Sequence, residues 1–247
     1  MLSGGSLIYK LLQQLYWTFN WRPRPGTIDS VLSRYAYMQK DVFFIQVGAN
    51  DGKTDDPLHD YIIQNNWRGI LIEPLPHVFQ KLKDNYKKIE KNLIFENIAI
   101  AENDGEKNFY RFESSPGERF LSNYDLLGTF NKSFLLGISE NGNLIVEEKV
   151  KALSFDSLIA RHHPDKINLI CIDTESYDYE IIKQINLKEL NVDIIIYEHA
   201  HLYITDYKKS ITYLKSNGYK LYHKYGDTIA VKRGLFKGNR KRGQEGY

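Results

Sequence analysis

The sequence predicts an α/β fold, a doubly wound and mostly parallel sheet with helices on both faces, preceded by an N-terminal helical extension. Three observations carry this expectation. Short runs that are apolar almost throughout recur along the chain, among them GILI at 69–72, INLICI at 167–172 and VDIIIY at 192–197; strands without polar alternation are buried on both faces. Segments with helical periodicity alternate with these runs, which is the pattern of a parallel sheet. The first run, VFFIQV at 42–47, ends abruptly in the small and polar loop GANDG at 48–52, as a buried strand does where it delivers the chain to a nucleotide site.

The elements follow in order. Leu7, Ile8, Leu11, Leu12, Leu15, Tyr16 and Phe19 recur at helical spacing, and Arg22, Pro23, Arg24 and Pro25 stop that helix. Its Trp17 and Trp21 suit packing on the domain, on a second subunit in a homo-oligomer, or peripheral contact with a membrane surface. A short helix is expected over 29–38, a strand over 42–47, and a helix opened by Pro57. A strand over 69–72, a helix over 76–86 and a strand over 93–99 come next. After a break come a strand over 167–172, a helix over 179–185, a strand over 192–197 and a helix over 206–217. A hairpin over 219–223 and 228–231 closes the sheet with one antiparallel edge strand, turning at Tyr225, Gly226 and Asp227. From 107 to 150 the chain is polar and weakly periodic, and it reads as a lid or insertion carrying Phe120, Tyr124, Phe130 and Phe134. The tail over 233–247 is basic and glycine-bearing and reads as flexible. The organisation is therefore an extension over 1–40, one domain over 41–232 and a tail.

The chain has 247 residues, with 33 Lys and Arg against 31 Asp and Glu. That near balance gives no electrostatic footprint for nucleic acid. Cys171 is the single cysteine and lies inside an apolar strand, which rules out an intrachain disulfide and fits a reducing, cytoplasmic location. No run reaches the ~18 apolar residues of a spanning helix, and no secretory leader pattern is read.

Chemistry concentrates at the predicted strand ends. Gly48 lets the first loop turn, and Gly52 lets backbone approach a ligand. A dinucleotide fingerprint needs G-x-G-x-x-G so that a pyrophosphate can sit against backbone; here Asn50 takes the second glycine's place and Asp51 adds a negative charge. A cofactor with a cationic sulfonium and an amino-acid end suits this loop better, with Asn50 and Asp51 facing the ammonium. Glu73, about twenty residues on and just before Pro74, can accept hydrogen bonds from both ribose hydroxyls; a salt bridge to Arg68 or Lys81 is the structural alternative. Asn97 closes the third strand where an amide can read an adenine ring. Asp173 and Glu175, at i and i+2, point the same way into the cleft. Glu198, His199 and His201 follow the fifth strand, and His199 or His201 can serve as general base. Asp173, Glu175, Glu198 and His199 also make an oxygen-and-nitrogen metal set, and strand-end acids equally cap helices; the reading adopted is catalytic, without a resident metal.

Assembled, these residues make the chain resemble the FkbM-type family of S-adenosylmethionine-dependent methyltransferases. The marks are VGANDG at 47–52, LIEPLP at 71–76, ENIAIAENDG at 96–105, CIDTESYDYEIIK at 171–183 and IIIYEH at 194–199, and the resemblance covers about 42–231. It implies a seven-stranded class I methyltransferase sheet with an antiparallel last strand, and methyl transfer, usually to a hydroxyl of a sugar, glycan or secondary metabolite. By that carry-over, Gln46, Gly48, Ala49, Asn50, Asp51, Gly52, Glu73, Pro74, Asn97, Ala99 and Asp173 bind S-adenosyl-L-methionine. Asp173, Glu175, Glu198 and His199 do the chemistry. One departure concerns Ser176, where the family usually has glycine. Two other readings stay open on sequence grounds: a nucleotide-dependent oxidoreductase on a Rossmann sheet, and a catalytically silent relative used for docking or dimerisation.

Overall fold

The computed structural model describes residues 26–113, 127–138 and 145–236. The helix expected over 7–19, the lid residues Phe120 and Tyr124, and all but the first few residues of the basic tail lie outside these. Among the described residues, no helix is long and apolar enough to cross a membrane.

The chain builds α1 (Ile28–Met38), β1 (Phe43–Val47), α2 (His59–Asn65), β2 (Arg68–Ile72), α3 (Pro76–Tyr86), a 3-10 turn and β3 (Leu93–Glu96). It continues with β4 (Ala99–Ile100), β5 (Gly105–Phe112), β6 (Gly128–Thr129), α4 (Lys132–Ile138), β7 (Ile145–Leu153) and α5 (Phe155–His162). Then come β8 (Leu169–Ile172), α6 (Asp178–Ile182), α7 (Leu187–Leu190), β9 (Ile194–Glu198), α8 (Ile204–Ser216), β10 (Tyr219–Lys224) and β11 (Asp227–Lys232).

Seven strands form the main sheet in the order β10-β11-β9-β8-β1-β2-β3. β11 pairs antiparallel with both β9 and β10, while the other pairs are parallel. The expected antiparallel strand is therefore inserted between β9 and β10 rather than lying at the edge, and β10 is the edge. Insertion satisfies both ladders of β11, which is apolar over Ile229, Ala230 and Val231, all buried.

Alternation along each strand explains why these runs are apolar throughout. Phe44, Leu71, Cys171 and Ile196 pack into one layer with Leu32, Tyr35, Ile62, Leu82 and Tyr86 of α1, α2 and α3. Their neighbours Ile45, Ile70, Ile170 and Ile195 pack into the opposite layer with Phe155, Leu158, Ile181 and Leu214 of α5, α6 and α8.

Three expectations change. The helix expected at Pro57 starts at His59, because the Asp56 carboxylate accepts from the Leu58 N–H at 2.7 Å and holds a turn first. The strand expected over 93–99 breaks after Glu96: the Asn97 side chain donates to the Glu73 and Pro74 carbonyls at 2.8 and 3.0 Å, and the chain leaves for a second sheet. That second sheet, ordered β4-β7-β5-β6, occupies much of the stretch that reads as irregular. Phe109, Val150 and Ala152 from it bury against Leu75, Val78 and Ala99.

A buried polar network docks α1 onto the sheet. Asn168 accepts from the Phe43 N–H at 2.9 Å and donates to the Tyr35 hydroxyl at 3.1 Å, and Tyr35 donates to Asp193 at 2.5 Å. Asn168 is 2% exposed, so its partners have no water to turn to. Replacing it with alanine is expected to destabilise the fold by about 2 kcal/mol, because it leaves a buried N–H and hydroxyl short of a partner. Urea unfolding of Asn168→Ala against the parent checks this, and a loss under about 0.5 kcal/mol contradicts it.

Candidate active site

Strand register brings the chemistry to one edge. Val47 pairs with Ile72 and with Ile172, and Ile172 with Tyr197, so β1, β2, β8 and β9 end level. The chain order reverses between β1 and β8, the switch point beside which doubly wound sheets bind ligands. Glu73, Asp173 and Glu198 extend the face carried by Leu71, Cys171 and Ile196, and the ladder places Asp227 of β11 opposite Glu198. A cavity of ≈ 420 Å³ opens there. Asp55, Asp56, Glu73, Asp173, Glu175, Glu198 and Asp227 line it, and among the described residues no Lys, Arg or His does.

The β1 loop is shaped by close contacts. Gly48 sits at φ +75°, and a Cβ there would lie 1.8 Å from the Asp173 carbonyl oxygen; only glycine lets the loop cross that strand end. The Gly48 and Ala49 N–H groups donate to the Ile72 carbonyl at 3.0 and 2.9 Å. Glu73, 5% exposed, accepts from the Asn50 N–H at 3.0 Å and from the Leu75 N–H at 2.9 Å. Burial pushes its carboxyl up to about 7 against those two hydrogen bonds. Of the two ion-pair partners considered for Glu73, Arg68 pairs instead with Asp41 at the surface.

Some predicted site residues serve the loop instead. Gln46, Ala49, Asn50, Pro74 and Ala99 line the cavity. Gly52 is not part of the cavity lining, and its missing Cβ makes room for Leu82 and Tyr86 of α3. Asp51 accepts from the Lys53 and Thr54 N–H groups at 2.9 and 2.7 Å and so ties its own turn. Asn97 is spent on the two carbonyls already described.

At the other end, Asp173 is open to the cavity but hemmed in by protein. Burial and then the charges of Glu198, Asp178, Glu175 and Asp227 hold its carboxyl well above the usual range. Glu175 and Ser176 both take positive φ, at +51° and +81°. This turn, rather than strand alternation, brings Glu175 to the cavity. Two residues of the second sheet's edge grip it: Thr129 donates to the Glu175 carbonyl at 2.7 Å and the Asn131 side chain to the Ser176 hydroxyl at 3.0 Å.

The histidines divide. His199 turns away from the cavity; its Nδ1 meets the Thr228 hydroxyl at 3.0 Å and its ring stacks on Tyr207. That placement removes it as general base. His201 Nδ1 stands 2.8 Å from Glu175 Oε2 and 2.7 Å from Glu198 Oε2. The two carboxylates, Glu175 first, lift its imidazole to about 10, so it carries a proton at neutral pH and cannot accept one.

Asp56, Asp227 and Tyr177 also line the cavity and were missed from sequence as site residues; Phe130, expected as a lid aromatic, lines it too. Asp56 Oδ2 and Gln46 Oε1 are buried without a hydrogen-bond partner. Phe130 packs edge-on against Phe109 at 5.1 Å and tilted against Tyr177 at 4.8 Å. The register of the closing hairpin pointed to Asp227; nothing local marked Asp56 beyond its place before Pro57.

The family described as the methyltransferase FkbM domain matches residues 46–221. No curated protein gives a significant sequence match. Among solved structures, methyltransferase FkbM from Methylobacillus flagellatus is 13% identical, with a TM-score of 0.52, over 93% of this chain and 60% of that one. The chain thus spans 60% of the length of that relative. The fibrillarin pre-rRNA processing protein of Methanococcus jannaschii is 15% identical over 80% of this chain and 69% of that one, with a TM-score of 0.42. Precorrin-6y C5,15-methyltransferase from Geobacter metallireducens is 13% identical over 82% and 86%, with a TM-score of 0.40.

The Glu175–Ser176 turn is open to a direct test. A left-handed non-glycine residue costs roughly 1–2 kcal/mol, and the hydroxyl's bond to Asn131 offsets about 1 kcal/mol of that. Ser176→Ala keeps the strain and loses the bond, so it should lose about 1 kcal/mol in chemical denaturation. Ser176→Gly loses the bond but releases the strain, and should be at least as stable as the parent. An alanine variant as stable as the glycine variant contradicts this account of the turn.

Proposed function

The chain belongs to the methyltransferase FkbM domain family, and on that premise we propose that it transfers a methyl group from S-adenosyl-L-methionine to a hydroxyl oxygen of a sugar, glycan or natural-product acceptor. One observation carries the proposal: a buried carboxylate, Glu73, ends β2 inside a cavity lined by acids and by no described cation. Such a cavity suits a sulfonium and repels the pyrophosphate of a dinucleotide.

The residues fit that cofactor. Two backbone N–H groups occupy part of the Glu73 carboxylate and aim its remaining lone pairs at ribose hydroxyls. Asp56 Oδ2 and Gln46 Oε1, both orphaned, suit an ammonium group. When bound, the cofactor supplies a methyl group already activated for displacement. What the chain adds is alignment and a proton acceptor. Asp173 stands between the two ends of the cavity, where its carboxylate takes the acceptor's hydroxyl proton as the oxygen–methyl bond forms and the sulfur–methyl bond breaks. Its raised proton affinity suits that task, and a cationic neighbour restores its charge beforehand. Phe130 and Tyr177 offer flat apolar surface to a sugar ring or similar acceptor. The same proposal includes a cytoplasmic location, from the lone Cys171, and no nucleic-acid partner, from the near-balanced charge.

Calorimetric titration should show S-adenosylhomocysteine binding and no NAD binding, with Glu73→Ala weakening the former by roughly 2 kcal/mol, about thirtyfold. NAD binding instead would favour the oxidoreductase reading. The sign of the pH dependence follows from Glu73. Below its value of about 7 the free protein holds this carboxyl protonated, and the ribose donors need it ionised. Affinity should therefore fall by up to about tenfold per pH unit below 7 and level off above it. In an acceptor screen, Asp173→Asn should keep cofactor binding and lose at least ~100-fold in turnover; retained turnover would remove Asp173 as the base.

A further inference from the structure

We propose that Glu175, Glu198 and His201 form a site for a divalent first-row cation such as Mn²⁺ at the acceptor end of the cavity. The three donor atoms, two carboxylate oxygens and the imidazole Nδ1, all lie within 4.8 Å of one another. The Nδ1 stands 2.8 and 2.7 Å from the two oxygens. Ligands at about 2.1 Å from an octahedral ion and at right angles stand about 3.0 Å apart, so the two nitrogen–oxygen pairs need only a few tenths of an ångström of relaxation to admit the ion.

Independent observations point to a missing cation. Glu175 Oε2 and Glu198 Oε2 are both buried, and the single Nδ1–H of His201 stands between them, so at least one of the two oxygens lacks a donor. Asp178, with no exposed surface, sits at the foot of the same turn; Thr174 holds its Oδ2 at 3.1 Å and its Oδ1 has no partner. A carboxyl group in that position is costly unless positive charge stands near. Among the described residues, no Lys or Arg lines the cavity; the only positive charge beside these carboxylates is the proton on His201, which the ion displaces from Nδ1 as it binds. The donor set also narrows the ion. An imidazole with two carboxylates suits Mn²⁺, Fe²⁺ or Zn²⁺ better than Ca²⁺, which takes oxygen ligands.

The site is braced by the second sheet. Thr129 holds the Glu175 backbone, and Phe134 of α4 lies against the His201 ring at 4.7 Å. Since Glu175 and Glu198 line the cavity, the ion's open positions face it. Its use there rests on the methyltransferase reading: two neighbouring oxygens of an acceptor would bind the ion, which orients them and makes the reacting hydroxyl more acidic. Binding of the ion does not depend on that reading.

The test is loss of the free Mn²⁺ spectrum in electron paramagnetic resonance as the purified full chain is titrated, run beside calorimetry with S-adenosylhomocysteine. One Mn²⁺ per chain is expected, with Glu198→Gln and His201→Gln each weakening it at least about tenfold. Glu189→Gln, far out on α7, should leave it unchanged. Circular dichroism confirms that the near-isosteric variants are folded. No Mn²⁺ binding by a chain that binds S-adenosylhomocysteine overturns the cation site alone. Mn²⁺ binding that survives both glutamine variants overturns the assignment to these residues. Mn²⁺ binding without S-adenosylhomocysteine binding upholds the site while the methyltransferase reading fails.

Discussion

The passage of Gly48 across the Asp173 carbonyl joins the two halves of the sheet at the point where ligands enter. A Cβ at that position would lie 1.8 Å from the carbonyl oxygen, so the contact exists only with glycine. From it the β1 loop reaches β2, where Gly48 and Ala49 bond to Ile72 and Asn50 bonds to the Glu73 carboxylate. Glu73 in turn holds Leu75, and Asn97 ties the Glu73 and Pro74 carbonyls to the end of β3. One tight crossing therefore sets the height of the loop and the aim of the carboxylate. The Glu73 end of the cavity is a consequence of backbone geometry as much as of side-chain identity.

The acidic lining imposes a second constraint. Carboxylates this close resist full ionisation: burial and mutual repulsion raise Asp173, and Asp227 reaches about 6 through burial and Glu198. Among the described residues, the unpartnered carboxylate and amide oxygens fall into two groups, Gln46 and Asp56 by the first loop, and Glu175, Glu198 and Asp178 by the turn after β8. Asp173 lies between them. That division matches two cationic occupants, one at each end, with the reacting oxygen placed in the middle.

Much of this was legible in the sequence, and the parts that were not have physical causes. Strands buried on both faces announce themselves as unbroken apolar runs, so β1, β2, β8 and β9 were readable, and with them Glu73, Asp173 and Glu198 at their ends. The second sheet is half exposed. In β7 the buried Val150 and Ala152 alternate with exposed lysines, a signal that charged residues mask when a strand is scanned for hydrophobicity. Asn97 looked like a ligand-facing strand end because the break in the ladder depends on its own side chain bonding backward. His199 could have been set aside by period-two logic alone: if Glu198 faces the cavity, its neighbour faces away. His201 returns to the cavity's edge through a turn, and turns carry no such rule.

The Glu175–Ser176 turn shows why the second sheet belongs to the site rather than beside it. Two consecutive residues in the left-handed region are unfavourable without support, and the support comes from Thr129 and Asn131, which join β6 to the turn. Serine replaces the conformational freedom of glycine with a hydroxyl that Asn131 can hold. The position of the Glu175 carboxylate then depends on the second sheet staying docked. Phe130 keeps it docked, packing against Phe109 on one side and against Tyr177 at the cavity wall on the other. Any movement of that sheet would shift Glu175, the aromatic wall and the contact of Phe134 with His201 together.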